Sequence, residues 1–208
     1  FRTSVAREFL RSQGIALDEA TRERLDDFID ADGRDRLQFR HAMVRDTAYE
    51  GLSYRRRRSL HMTAGQMVLD ATPGSTETVA DILGLHFFLG GDLERAWVHC
   101  RTAGDRNMER YANPEAAQQF ERAIEASRGV EEASDDDVRE LWVKLGDVRE
   151  RLGEFDASLQ AYRRASALTE GDPAARADVV LKRARAKERA GRYSAALAEA
   201  TRARKVAE

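Results

Sequence analysis

From about residue 76 onward the chain repeats one pattern: small or aromatic side chains set among charged ones, with glycine or proline as punctuation. The stretches Pro114–Ala123, Asp156–Ala165 and Ser194–Ala203 align so that Ala116 falls on Ser158 and Ala196, Phe120 on Tyr162 and Ala200, and Ala123 on Ala165 and Ala203. The registers lie 42 and 38 residues apart. Within each stretch these positions recur at i, i+4 and i+7, which is one face of a helix. Small side chains there let two helices approach closely, and an aromatic ring fills the space between helix pairs. A further helical segment precedes each stretch, over about 96–111, from Leu141, and over 181–190. Gly153 and Gly191 suit the left-handed conformation that ends a helix. Asn113, Asp156 and Ser194 are expected as N-caps, Pro114 in a first turn, and Asp172-Pro173 as a repeat of that signal. Connections this short predict antiparallel hairpins, with one more helix over 80–89 ahead of them. Trp97, Phe120, Trp142, Tyr162 and Tyr193 are expected in the core.

The first seventy residues read differently. Helices are expected over 5–10 and over Glu19–Ile29, the second with Leu25, Phe28 and Ile29 on one face. Asp32-Gly33-Arg34-Asp35 is a turn signal, and alternation over Arg36–His41 predicts a short strand leading into a helix over 42–52. Helix, helix, strand, helix is compatible with part of a winged helix.

Composition narrows the function classes. The 208 residues are 42% hydrophobic and 35% charged, too apolar for wholesale disorder, and only 14 Gly and 3 Pro interrupt a helical composition. With 35 Lys+Arg against 37 Asp+Glu there is no basic excess of the kind a general nucleic-acid coat needs. A single cysteine, Cys100, excludes an internal disulfide and a cysteine-based zinc site and fits a reducing, cytoplasmic setting. No membrane-length apolar run and no signal peptide is visible, so no membrane partner is expected. A start at Phe1 and an end within a helical pattern are read as marks of a fragment of a longer protein.

Trp142, Leu145, Gly146, Gly153, Phe155, Tyr162 and Ala165, followed by Asp172-Pro173, resemble a tetratricopeptide (TPR) repeat. Gly104, Ala116, Phe120 and Ala123 give a second match; Ala184, Gly191, Tyr193, Ala196 and Ala203 give a third. The resemblance implies an all-α fold of antiparallel helix hairpins stacked as a TPR-like right-handed superhelix. Its hairpins would span about 93–127, 135–169 and 174–207 within a repeat region 76–208, after a strand-containing, winged-helix-like segment 1–75. The phrase Leu37-Gln38-Phe39-Arg40-His41 through Arg45-Asp46-Thr47-Ala48-Tyr49 to Leu52, then Arg57-Arg58-Ser59-Leu60-His61, resembles a junction in multidomain bacterial signal-transduction ATPases. That group includes adenylate/guanylate cyclases with an ATPase and TPR tail, and large LuxR-type regulators. Gly84-Leu85-His86-Phe87 and Gly90-Gly91-Asp92 resemble the segment after the junction there. The chain contains no Gly-x-x-x-x-Gly-Lys-Ser/Thr phosphate loop, so the resemblance implies a non-catalytic arm whose ATPase or cyclase would lie upstream.

The candidate sites are few. His41, His61, His86 and His99 show no i, i+4 pairing with a nearby Glu, so neither a metal nor any other cofactor is expected. His99 and Cys100, adjacent on a helix, point about 100° apart and do not make a nucleophile pair. Arg55-Arg56-Arg57-Arg58 could touch DNA phosphates in a transcriptional regulator, but it reads more simply as a helix start whose guanidinium groups pair with neighbouring acids. The acidic run 131–137 reads as a loop and helix start, with Ser134 and Asp137 forming the cap. By the TPR resemblance a groove would carry Arg101, Asp105 and Glu109, then Val143, Asp147, Glu150 and Arg151, then Leu181, Arg185, Glu188 and Arg189. That surface is of mixed sign. It lacks the Lys/Asn pattern with which some TPR proteins clamp a C-terminal carboxylate. It would bind a protein or peptide, or pack on the neighbouring ATPase domain.

Overall fold

A computed structural model describes residues 3–16, 18–31 and 37–207. Their contacts divide the chain into two compact units, Phe1–Gly74 with Leu89–Gly91, and Ser75–Phe88 with Asp92–Glu208.

In the first unit α1 (Thr3–Ser12) and α2 (Glu19–Leu25) precede an antiparallel pair of strands, β1 (Ile29–Ala31) and β2 (Leu37–Phe39). Two helices follow, α3 (Ala42–Glu50) and α4 (Tyr54–Ala71). Ile29 pairs with Phe39 and Ala31 with Leu37, and the Arg40 guanidinium lies 2.9 Å from the Asp30 carboxylate. The helix expected over 19–29 therefore stops four residues early. Asp26 and Asp27 are poor helix formers, and β-branched Ile29 gains a strand partner that local periodicity does not reveal. Phe28 is half exposed rather than part of an apolar helix face. The expected turn at Asp32-Gly33-Arg34-Asp35 lies outside the described residues.

The second unit is helical throughout. After a 3-10 turn at Thr76–Val79 come α5 (Ala80–Gly90), α6 (Leu93–Glu109), α7 (Asn113–Ser127), α8 (Asp135–Arg151), α9 (Phe155–Ala167), α10 (Pro173–Arg189) and α11 (Tyr193–Ala207). The helices α6–α7, α8–α9 and α10–α11 form three antiparallel hairpins, and α7 packs on α8 and α9 on α10, so that the hairpins stack. This is a TPR-like array.

Each tight turn is built the same way. Gly153 and Gly191 hold φ of +76° and +75°, and the equivalent place in the first hairpin is taken by Tyr111 at +59°. In all three, the next N–H reaches back to close the helix: Ala112 to Asn107 O at 2.9 Å, Glu154 to Arg149 O at 2.9 Å and Arg192 to Lys187 O at 2.8 Å. These closures start the following helix early. The N-cap positions of α7 and α9 are Ala112 and Glu154, not Asn113 and Asp156, and α11 begins at Tyr193, before Ser194. Side-chain caps start the first helix of each hairpin instead, at Asp92, Ser134 and Asp172. Ser134 Oγ accepts from Asp137 N–H at 3.1 Å, and Asp172 accepts from Ala175 N–H at 2.9 Å.

Inside the hairpins a glycine faces a ring. A Cβ on Gly104 would collide with the buried ring of Phe120, and one on Gly146 with that of Tyr162. The helices can approach this closely only because the glycines have no side chain. At the equivalent place in the third hairpin Ala184 and Ala200 divide the same space more evenly. Between the second and third hairpins Leu159, Tyr162 and Ala165 of α9 pack with Val179 and Ala186 of α10, flanked by Trp142 and Val143. Of the aromatics expected in the core, Trp97, Phe120 and Tyr162 are buried and Trp142 is half-buried, but Tyr193 is 71% exposed. Its equivalent, Phe155, is half-buried beside a following hairpin, whereas no described element follows α11.

Candidate interaction surface

The first helices of the hairpins, α6, α8 and α10, carry the residues singled out for a groove. Their charges do not all face outward. Lys144 Nζ on α8 donates to Asp105 on α6 at 2.7 Å, and Lys182 Nζ on α10 donates to both oxygens of Asp147 on α8 at 2.9 Å. Asp105 and Asp147 occupy equivalent repeat positions, as do Lys144 and Lys182, so one acid-to-lysine rung recurs at successive hairpin junctions. Arg101 reaches Asp137 at 2.8 Å while lying over the Trp97 ring, and Arg189 reaches Glu150 at 3.1 Å.

Arg101, Asp105, Asp147, Glu150 and Arg189 are thus engaged between neighbouring hairpins. Glu109, Arg151, Arg185 and Glu188 are exposed. Val143 is half-buried and borders a depression of about 350 Å³ between the N-terminal halves of α8 and α10, together with Asp136, Glu140, Asp178 and Val179. Glu109 borders another, of about 520 Å³, with Glu77, Thr78, Asp105, Arg106 and Arg110. There the Arg106 guanidinium donates to Glu77 O at 2.8 Å.

The sequence reading missed the rungs, although the alignment that revealed the small positions also superposes the two acids and the two lysines. It also missed the most buried carboxylate of α11. Glu199 is 4% exposed and takes Arg183 at 2.7 Å and Lys187 at 2.8 Å. Burial alone would raise its pKa, but the Lys187 hydrogen bond and the charges of Arg183, Lys187 and Arg202 outweigh it and hold the carboxyl below its ordinary value. Lys144 shows the same opposition: burial works against its charge, while hydrogen bonds to Asp105 and Glu140 prevail and raise it. The Tyr162 hydroxyl donates its one proton to Asp147 at 2.6 Å, with Glu150 3.2 Å from the same oxygen; burial, then the Asp147 hydrogen bond and the two carboxylate charges, push it far above its usual range. It is a fixed donor.

Of the thiol and the imidazoles, Cys100 is buried, His61, His86 and His99 are half-buried, and His41 is exposed. Cys100 is buried against Gly84, and burial pushes its thiol up to about 12, so it carries almost no thiolate near neutral pH. The His99 ring stacks on Phe87 with centroids 5.7 Å apart, and its pKa is lowered by burial and then by Arg95. His61 shares a 2.9 Å hydrogen bond with the Tyr49 hydroxyl, and burial lowers its pKa. In the basic run, Arg57 lies 5.3 Å from the Tyr49 ring centroid and Arg58 lies 5.8 Å from that of Tyr54. Arg58 Nε also donates to Gly90 O at 3.2 Å. These two guanidinium groups meet tyrosine rings and a carbonyl where acidic partners were expected, because aromatic faces attract cations without a second charge. Among the described residues no three His, Cys, Asp or Glu side chains converge as a metal site, and no helix is long and apolar enough to cross a membrane.

No protein-family profile and no curated protein matches the chain. Among solved structures it is similar to the crystal structure of BtubC (BKLC) from P. vanneervenii, at 15% identity and a TM-score of 0.46 over 79% of this chain and 76% of that one. It is also similar to the crystal structure of MamA, at 20% identity and a TM-score of 0.43 over 73% of this chain and 91% of that one.

Proposed function

We propose that the chain is a non-catalytic protein-interaction and regulatory arm of a multidomain bacterial signalling ATPase. It binds a partner protein or peptide, or packs on the ATPase domain, through the faces of α6, α8 and α10. The observation that carries this reading is the fate of the side chains. Phe120 and Tyr162 fill their hairpins, the one thiol is buried and held protonated, and the rungs fix neighbouring first helices side by side, leaving Glu109 and Arg151 as charged positions open to a partner. The ATPase context is supported by the resemblance of the Leu37–Leu52 and Arg57–His61 phrases. A partner that binds this face controls the ATPase only by binding its active and inactive states unequally.

The test uses the parent polypeptide, with ATP turnover measured for the unaltered protein and for Glu109→Lys with Arg151→Glu. The reading expects basal turnover, or its response to a partner, to change severalfold without loss of folded content by circular dichroism. Turnover and response both identical to the unaltered protein, or an encoding frame without a phosphate loop upstream, would overturn it.

A further inference from the structure

At the junction of the first two hairpins a guanidinium group spans the space between the first helices. Arg101 of α6 reaches the Asp137 carboxylate of α8 at 2.8 Å, with its guanidinium carbon 4.7 Å from the Trp97 ring centroid. One repeat along, at the 42- and 38-residue offsets, Arg101 becomes Val143 and Asp137 becomes Ala175. Both line the depression of about 350 Å³ between α8 and α10. The second junction is open where the first is filled: an isopropyl group stands in place of a guanidinium arm, and a methyl group in place of its carboxylate.

The walls state which side chain fits. Val143, Ala175 and Val179 offer apolar surface of the kind on which the methylene stem of a long cationic side chain lies. The charged residues of the lining are Asp136, Asp137, Glu140 and Asp178, with Arg139 as the one base. Arg139, at the place equivalent to Trp97, is held by Asp136 and lies 3.5 Å from Leu168 O. Asp137 has Arg101 at 2.8 Å and Glu140 has Lys144 at 2.7 Å. Asp178 is the acid left over: it is exposed, and no ion pair holds it among the described residues. Its equivalent, Glu140, takes the lysine four residues on, but the lysine four residues after Asp178 is Lys182, which turns to Asp147. An uncompensated carboxylate therefore borders an apolar floor.

We propose that this depression takes the arginine side chain of a partner polypeptide, with its stem on Val143 and Val179 and its guanidinium group at Asp178. The proposal rests on the reading of the α6, α8 and α10 faces as a partner-binding surface, and it names what the partner brings there. Arginine is the occupant because the filled junction holds one at the equivalent place. A polypeptide is its source because its arginine carries no carboxylate of its own, whereas free arginine would bring one to the acidic rim, where like charges repel. The opening lies between two hairpins and is set by Val143 and Ala175, not by any further segment.

The test is a titration of the full chain, isotope-labelled at its methyl groups, with N-acetyl-arginine N-methylamide, followed by NMR. The methyl signals of Val143, Ala175 and Val179 are expected to shift together. The citrulline analogue, which keeps the shape and loses the charge, should bind about fivefold more weakly, and Asp178→Asn should weaken the arginine probe about threefold. Val143→Arg supplies the guanidinium group from within the chain and should remove the shifts at Ala175 and Val179, with folded content checked by circular dichroism. No shift with the arginine probe, equal affinity for the citrulline analogue, binding indifferent to Asp178→Asn, or binding that survives Val143→Arg in the folded chain would overturn the proposal. So would tighter binding of free arginine or of spermidine, which assigns the depression to a small molecule. None of these readouts involves ATP turnover, so a probe that fails to bind while turnover still responds to Glu109→Lys with Arg151→Glu would sink this proposal alone.

Discussion

The second and third hairpins share a register and a turn, and differ in what covers them. Leu159 and Leu197 are the same residue at equivalent places, yet one is buried beneath α10 and the other stands in solvent. Asp147 is bonded through both oxygens to Lys182, while Arg185 at the same position has no such ion pair among the described residues. The comparison teaches that in a stacked array a residue's burial belongs as much to the neighbouring repeat as to its own sequence, since each repeat is stabilised by its intrinsic packing plus its junctions.

The strongest way to break the comparison is to truncate both leucines. Leu159→Ala is expected to cost about 2–5 kcal/mol and Leu197→Ala less than about 0.5 kcal/mol, measured by urea denaturation. Similar losses at the two sites would show that α11 is covered as α9 is. The hairpin interiors give the next contrast. Gly146→Ala drives a methyl group into the Tyr162 ring and should cost about 1–3 kcal/mol, whereas Ala184 already carries that methyl group opposite the small Ala200. A neutral Gly146→Ala would mean that the ring can give way.

Glu199 sharpens the picture by pH. Because its folded pKa lies below its ordinary value, its contribution is present above the usual carboxylate range and is lost as pH falls through the lowered folded value. Glu199→Gln should lose about 1–3 kcal/mol at neutral pH by leaving Arg183 and Lys187 unpaired. The gap from the unaltered chain should narrow below about pH 4; a gap independent of pH would remove the ion pairs as its cause. The smallest expected effect is a gain. Tyr111 holds the left-handed turn conformation that Gly153 and Gly191 hold in the other hairpins, so Tyr111→Gly should raise stability by about 1 kcal/mol, read as a higher thermal midpoint.

The hairpins were legible because their signals are local. A small-aromatic-small register, Gly153, Gly191, Ser134 and Asp172 each act within one or two turns of helix. The first turn was not legible, because nothing in the residue type announces Tyr111 as the left-handed position. Strand β1 was hidden for a different reason: Ile29 owes its conformation to Phe39, ten residues away. Tyr193 looked like core because aromatic residues recur at its repeat positions, yet in the described structure it stands exposed. For the candidate surface, the repeat alignment put α6, α8 and α10 in one register, but which of their charges stay open depends on pairs such as Asp105 with Lys144, which lie 39 residues apart.

Asp147 receives the Tyr162 hydroxyl from within its own hairpin and the Lys182 ammonium from the next. A single carboxylate therefore ties the assembly of one repeat to the arrival of its successor. Deleting either donor leaves the acid to re-optimise around the other, so the two losses should not add. The smallest block that melts as one at this joint is a pair of hairpins.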